Sequence, residues 1–214
     1  LYISADYLKM VSSVRVAPSI HIKLYIMLAL VLFFVIGCCG AVLLGRLSDI
    51  VDYLLYIDKK TGMPNREKLN IYIGEMAGKV LPEAFTCFTL NLDNLSELTK
   101  RFGYTVGDGV LKDFAGLVQL MGDTEGMRGY NGVGRFVVFF EECSSKKAAA
   151  MIRILDNQVE EYNSLNPEYP IRYTAAWATT EETDTYEIRE LLRLSQKKWK
   201  QMEKEKKDKT EEET

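Results

Sequence analysis

An uncharged apolar stretch of 22 residues, LYIMLALVLFFVIGCCGAVLLG at 24–45, constrains this chain more than any other feature of its sequence. As an α-helix with a rise of about 1.5 Å per residue, it would span roughly 33 Å, which matches the hydrocarbon core of a bilayer. A secretory signal peptide has a shorter apolar run, and so does the typical core helix of a soluble protein. The sequence therefore predicts one transmembrane helix over 23–46, with membrane lipid as a partner.

The distribution of basic residues predicts how this helix is oriented. Arg15 and Lys23 precede the apolar stretch, whereas a larger group follows it, namely Arg46, Lys59, Lys60, Arg66 and Lys68. Because basic residues accumulate on the cytoplasmic side, the C-terminal domain is expected in the cytoplasm, and residues 1–22 are expected to end an extracytoplasmic segment. The four cysteines lack the spacing of a disulfide framework, which agrees with a reducing compartment.

Beyond the apolar stretch, the periodicity of hydrophobic residues predicts further helices and strands. Apolar residues at helical spacing extend the membrane helix into an amphipathic signalling stalk over 47–57. Gly62 and Pro64 end this stalk, and Asn65 is placed to cap the next helix. Further helices are predicted over 66–78, 95–101, 106–120 and 146–162 and from about Tyr186, and strands over 85–92 and 171–177.

The segment RGYNGVGRFVVFF at 128–140 predicts a β-hairpin. Gly132 and Gly134 supply positive φ angles at its tip, and Arg135 begins the returning strand. The strand over 171–177 alternates in a way that predicts a single buried face. The pattern as a whole predicts an α/β (α+β) domain, with a sheet of mixed strands flanked by helices and followed by a charged tail over 205–214.

Three motifs occur in order after the stalk. They are DKKTGMPNR at 58–66, NLDNL at 91–95 followed by GYTVGD at 103–108, and GVGRF at 132–136. Together they resemble the GGDEF domain of diguanylate cyclases, which condense two GTP molecules into cyclic di-GMP. The family's motifs are D-x-L-T-G-L-P-N-R, then D-x-D-x-F with G-H-x-x-G-D, and finally G-G-D-E-F. The resemblance covers 58–204.

The resemblance implies a fold, an activity and a location. The fold would be a central five-stranded mixed sheet flanked by helices, related to the palm of nucleotide cyclases and polymerases. The location would be a bacterial cytoplasmic membrane, crossed once, with the domain on the cytoplasmic side. The expected partners are GTP or another guanine nucleotide and a second copy or another signalling protein. Because the formal net charge is −3, no nucleic-acid partner is expected.

The acidic residues that hold the metal ions in this family are replaced here. The resemblance places Asn91, Gly134 and Arg135 at the three carboxylate positions. No acid lies between Glu125 and Glu141, so no change of hairpin register brings one to the tip. Because Mg²⁺ needs oxygen ligands, the sequence predicts no catalytic residue, no metal ligand and no cofactor, with Mg²⁺ required only if the chain is an active cyclase.

The same resemblance gives a set of nucleotide-binding positions, namely Asn91, Thr99, Asp108, Gly132, Gly134 and Arg135. Thr99 stands where the family has an asparagine that contacts guanine, whereas Asp108 keeps the second guanine contact. Arg135 could clasp a phosphate group through its guanidinium. The family's product-inhibition motif would fall at 123–126 and is absent, and Glu203 replaces a phosphate-binding lysine.

Three functions remain open from the sequence. The first is a catalytically degenerate domain for coupling and dimerisation. The second is a module that binds a guanine nucleotide without metal. The third, the alternative, is an active diguanylate cyclase that makes cyclic di-GMP from GTP.

Overall fold

A computed structural model describes residues 20–122 and 126–212 and divides into two compact units, one up to Val51 and one from Asp52 onward. Residues 1–19, most of the segment predicted to be extracytoplasmic, lie outside this description. So do 123–125, where most of the missing product-inhibition motif would fall.

The elements follow one another in an order close to the predicted one. The helices are α1 (Ile20–Tyr56), α2 (Arg66–Met76), α3 (Leu95–Phe102), α4 (Tyr104–Gln119), α5 (Ser145–Leu165), α6 (Thr180–Thr183) and α7 (Ile188–Glu212). The strands are β1 (Thr86–Leu92), β2 (Gly126–Tyr130), β3 (Arg135–Phe140) and β4 (Tyr173–Thr179). The helix α7 continues to Glu212, through most of the segment predicted as a charged tail.

Helix α1 runs without a break through 37 residues, from the predicted span into the predicted stalk. Within the described residues it is the one helix long and apolar enough to cross a membrane, and none of its most apolar window is buried. The apolar residues of the stalk are about half exposed, for example Leu47 at 56% and Leu54 at 54%. The helix therefore presents apolar surface along its length.

The turn between α1 and α2 is built by the first motif. One carboxylate oxygen of Asp58 accepts hydrogen bonds from the backbone N–H groups of Lys60 and Thr61 and from the Thr61 hydroxyl. The Asn65 side chain caps α2 by accepting from Glu67 N and Lys68 N, as predicted. The Asn65 amide also donates to Leu55 O at 2.7 Å, which joins the end of α1 to the start of α2.

The sheet has four strands in the order β2-β3-β1-β4, and each neighbouring pair is antiparallel. The prediction of five mixed strands was wrong in both respects for the described part of the chain. The mixed sheet was expected from the alternation of helices and strands. Here the connections through α3–α4 and through α5 each pass over one strand, so β2 and β4 run parallel to the strands that precede those helices but lie beside antiparallel neighbours.

Helices cover both faces of this sheet. Phe88, Leu90 and Leu92 of β1 belong to a large core with α4 and α5, whereas Cys87 points to a smaller core with α2 and α7. The prediction of a single buried face for the strand at 171–177 was also wrong. The strand begins two residues later, and its consecutive residues 174–176 are all buried, because α7 covers the face that was expected to meet solvent.

Candidate functional site

The predicted hairpin forms, and its tip has an unusual backbone. Gly132 and Gly134 have φ angles of 83° and 75°, as predicted, and Val133 between them also has a positive φ of 51°. A β-branched residue seldom adopts this conformation, because its side chain crowds the backbone. The Arg135 N–H donates to Gly132 O at 3.0 Å and closes the turn, so that β3 starts at Arg135.

The tip brings Arg135 beside the middle strand of the sheet. Asn91 pairs with Arg135 of β3 on one side and with Thr174 of β4 on the other. Residues paired across antiparallel strands have side chains on the same face, here the face covered by α7. Two of the three positions that hold metal ions in the family therefore lie next to each other, but they carry an amide and a guanidinium.

Asp93, the acid that remains near these positions, is fully engaged by neighbouring groups. Asn91 Nδ2 donates to Asp93 Oδ1 at 2.9 Å, and Thr174 Oγ1 donates to Asp93 Oδ2 at 2.6 Å. Lys206 Nζ of α7 lies 3.6 Å from Asp93 Oδ2 and also donates to Thr174 Oγ1 at 2.6 Å. The positive charge beside Asp93 is thus an ammonium group of the protein itself.

A groove of about 500 Å³ opens beside these residues. Asn91, Thr99 and Arg135 line it, together with Lys100, Tyr104, Val133, Trp199 and Glu203 among others. The structure therefore brings together three of the six predicted nucleotide-binding residues. Gly132 and Gly134 form the turn that holds Val133 at the rim, and Asp108 is not among the described residues that line the groove.

Thr99 is committed to packing between α3 and α4. Its hydroxyl donates to Leu95 O at 2.7 Å, one turn earlier in α3. A methyl group at Gly107 of α4 would overlap Thr99 Oγ1, so the two helices touch at this pair. The residue at the family's guanine-contacting position therefore closes a helix contact, and its hydroxyl is already satisfied.

Asp108 is held by a lysine from the first motif. Lys60 Nζ donates to Asp108 Oδ1 at 2.8 Å, and both side chains are partly exposed, at 53% and 40%. The hydrogen bond and the charge of Asp108 raise the pKa of Lys60. Lys60 also departs from the family pattern of the first motif, which has leucine there, and its charge makes this a larger change than Met63 at the motif's second leucine.

The residues at the family's metal positions do not fit Mg²⁺. Arg135 contributes a positive charge where a ligand is needed, Gly134 has no side chain, and both oxygens of Asp93 already accept hydrogen bonds. Within 20–122 and 126–212, no three acidic, histidine or cysteine side chains come together as a metal-holding group. The arrangement can offer hydrogen-bond donors and positive charge, but it lacks the set of oxygen ligands that a divalent cation requires.

Sequence reasoning missed four residues of this region. Trp199, Lys200 and Lys206 reach the site from α7, and Lys60 binds Asp108, which does not line the groove. The departure of Lys60 from the motif was visible, but its partner was not.

Comparison with known families gives a direct match. The family model described as "Diguanylate cyclase, GGDEF domain" matches residues 55–209, which is more than half of the chain. The chain therefore belongs to the GGDEF family, and it carries a diguanylate cyclase-like domain of cyclic di-GMP signalling. No curated protein sequence matches this chain.

Solved structures agree on the fold. The coiled coil and GGDEF domain of DgcB from Caulobacter crescentus, in complex with c-di-GMP, matches with a TM-score of 0.59 and 15% identity, over 71% of this chain and 83% of that one. The FimX GGDEF domain from Pseudomonas aeruginosa matches with a TM-score of 0.55 and 17% identity, over 66% and 90%. At these identities the likeness concerns the fold.

A third structure is the S helix-GGDEF-EAL portion of LapD from Vibrio cholerae, bound to c-di-GMP. It matches with a TM-score of 0.52 and 12% identity, over 63% of this chain. This chain spans 31% of the LapD chain's length.

Proposed function

We propose that this chain is a membrane-anchored signalling protein whose GGDEF domain does not synthesise cyclic di-GMP and instead couples the membrane helix to a partner. The observation that carries the proposal is the pairing of Asn91 with Arg135 at the two adjacent metal positions. Phosphodiester formation from GTP needs cations that neutralise the triphosphate. A guanidinium at this point repels them.

The anchor is the apolar part of α1, which we place in a bacterial cytoplasmic membrane, crossed once, with the domain on the cytoplasmic side. We accordingly assign 23–46 to the span, 47–57 to the stalk and 58–204 to the degenerate domain. The unbroken helix from the span into the stalk supports the coupling role, because such a helix transmits rotation or displacement along its axis.

The stalk supports a homodimer as the coupling unit. Leu47, Ile50, Val51, Leu54 and Leu55 recur at helical spacing and are each about half exposed. Such a stripe is stabilised when a second copy covers it. The DgcB structure likewise comprises a coiled coil together with a GGDEF domain.

Binding of a guanine nucleotide without metal is a second candidate. The groove of about 500 Å³ and the guanidinium of Arg135 at its edge favour it. The hydrogen bond between Lys60 and Asp108 argues against guanine selectivity, because it occupies one oxygen of the carboxylate that would accept from the base. We therefore place this candidate below coupling, and an active cyclase below both.

The test of the proposal uses the full chain in a neutral detergent. Incubated with GTP and Mg²⁺ and followed by mass spectrometry, it is expected to form no cyclic di-GMP, whereas an active diguanylate cyclase in the same detergent forms it. Replacing Leu47 and Leu54 with lysine is expected to shift the chain from dimer to monomer, and the matched change of Asp49 and Asp52 to lysine is expected to leave the dimer intact. Product formation by the wild-type chain would refute the proposal.

A further inference from the structure

A smaller cavity lies between the sheet and α7, beside the groove. It measures about 80 Å³ and is bordered by Asn131 and Arg135 of the hairpin and by Gln196, Trp199 and Lys200 of α7, over a floor of β1 and β3. A single water needs roughly 10–15 Å³ of such space, so the cavity has room for a group the size of a phosphate. Arg135 and Trp199 also line the groove, so the two spaces adjoin each other.

Trp199 carries a buried donor that the described part of the protein leaves unsatisfied. Its side chain is 8% exposed, and its Nε1 finds no hydrogen-bond partner there. The indole N–H can only donate, and buried polar groups in proteins are nearly always paired. An acceptor in the cavity would satisfy it.

The two cationic side chains at this cavity, Arg135 and Lys200, also differ from nearby lysines of α7. Lys198 pairs with Glu182, and Lys206 pairs with Asp93. Within residues 20–122 and 126–212, by contrast, the side chains of Arg135 and Lys200 form no ion pair and no hydrogen bond. No acidic residue borders the cavity. The nearest acid of α7, Glu203, lines the groove instead.

We propose that this cavity is a metal-free binding site for a phosphoryl-type oxyanion. The Arg135 guanidinium, the Lys200 ammonium and the Trp199 indole N–H would hold it, with the amides of Asn131 and Gln196 at its edge. The three principal groups donate and cannot accept, so they select a ligand that only accepts. Arg135, which repels a divalent cation from the family's metal position, thus supplies a positive charge that attracts an anion. This binding role does not depend on the coupling function.

The oxyanion has two possible sources, which share this chemistry. Free phosphate would occupy the cavity alone, whereas the terminal phosphate of a nucleotide would enter from the groove with the rest of the molecule outside. The experiment separates them by comparing inorganic phosphate with GTP and ATP, all without divalent cations.

The test records the indole N–H resonances of the full chain, labelled with ¹⁵N-tryptophan, in a neutral detergent. Trp177→Phe assigns the two signals, because the chain has two tryptophans. Inorganic phosphate at constant ionic strength is expected to move the Trp199 signal and to saturate with a Kd of about 1 mM or tighter, while the Trp177 signal stays in place. A stronger response to GTP and ATP assigns the site to a nucleotide phosphate, and an equal or weaker one assigns it to the free anion.

Charge-removing variants decide whether the named residues form the site. Arg135→Gln and Lys200→Gln are each expected to weaken phosphate binding about tenfold, the effect of losing one charge-assisted hydrogen bond. Arg153→Gln and Lys197→Gln remove the same charges from exposed positions elsewhere on α5 and α7 and are expected to change nothing. No movement of the Trp199 signal with phosphate, or equal movement in all four variants, would overturn the proposal.

Discussion

Lys60 donates a hydrogen bond of 2.8 Å to Asp108 across 48 residues of sequence, and this contact joins an altered position of the first motif to the residue that the family resemblance places at a guanine contact. The two departures from the family pattern that matter most for the base, Lys60 and Thr99, therefore act in the same direction. Lys60 occupies one oxygen of the Asp108 carboxylate. The Thr99 hydroxyl donates to Leu95 O of its own helix.

Replacing Lys60 with leucine, the family residue, is expected to release Asp108 for a guanine edge. In the absence of metal, the variant should gain about fivefold preference for GTP over ATP by calorimetry, corresponding to roughly 1 kcal/mol for one added hydrogen bond, whereas the wild-type chain should show none. Lys59→Leu, at the neighbouring exposed position, is the matched control and should leave the preference unchanged. A wild-type chain that already prefers GTP would show that the Lys60 contact does not block the base.

Gly107→Ala is expected to destabilise the domain by about 1–3 kcal/mol, because the added methyl overlaps Thr99 Oγ1. In a Thr99→Ala background, the same change should be neutral or stabilising, since alanine is the better helix former by about 1 kcal/mol. Urea unfolding of the four proteins, followed by tryptophan fluorescence, measures this coupling. Equal costs in both backgrounds would mean that Thr99 is not what closes the helix contact.

Val133→Gly is expected to stabilise the hairpin. Valine at a φ of 51° bears a strain of about 1–2 kcal/mol, which glycine relieves, and the greater freedom of glycine in the unfolded chain offsets part of the gain. The unfolding free energy should therefore rise by about 1 kcal/mol. Val80→Gly, at a similarly exposed loop position without a positive φ, should lower it. Loss of stability in Val133→Gly would show that Val133 is not strained.

The alkaline stability of the domain is expected to depend on Cys87. Burial raises the pKa of this thiol to about 12, whereas an unfolded thiol titrates near about 8.5. Between these values the folded chain holds a proton that the unfolded chain has lost. The free energy of unfolding should therefore fall as the pH rises above about 8.5, and below that pH the group has no effect.

Cys87→Ala tests this dependence, because it should make the decline between pH 8 and pH 11 less steep. Cys38→Ala, in the apolar part of α1, should leave the slope unchanged. The partly buried Tyr162 and Tyr173, whose pKa values are also raised by burial and by hydrogen bonds to Asp113 and Asp156, should contribute to the slope that remains. An unaltered slope in Cys87→Ala would contradict the burial argument.

The order of helices and strands could be predicted because each depends on local periodicity and caps. Asn65 and the hairpin glycines are examples of signals that act within a few residues. The buried outer face of β4 and the ammonium of Lys206 on Asp93 could not be predicted, since both depend on where α7 crosses the sheet. The structure pairs Asn91 with Arg135, whereas the family resemblance overestimated the number of strands.

The candidate site shows the same division. The absence of carboxylates at positions 91, 134 and 135 could be read from the sequence, because packing does not change which side chain a position carries. The family resemblance also gave Asp108 as a nucleotide-binding position. The structure gives that carboxylate a lysine partner 48 residues away, a contact that no local pattern encodes.

The central claim, that the Asn91–Arg135 pair cannot hold a divalent cation, is tested most directly by Mn²⁺ binding to the full chain, measured by electron paramagnetic resonance with GTP present. We expect no bound Mn²⁺ in the wild-type chain and a gain of binding in Asn91→Asp combined with Arg135→Glu. Stoichiometric Mn²⁺ on the wild-type chain, lost on Asn91→Ala or Asp93→Ala, would contradict the account.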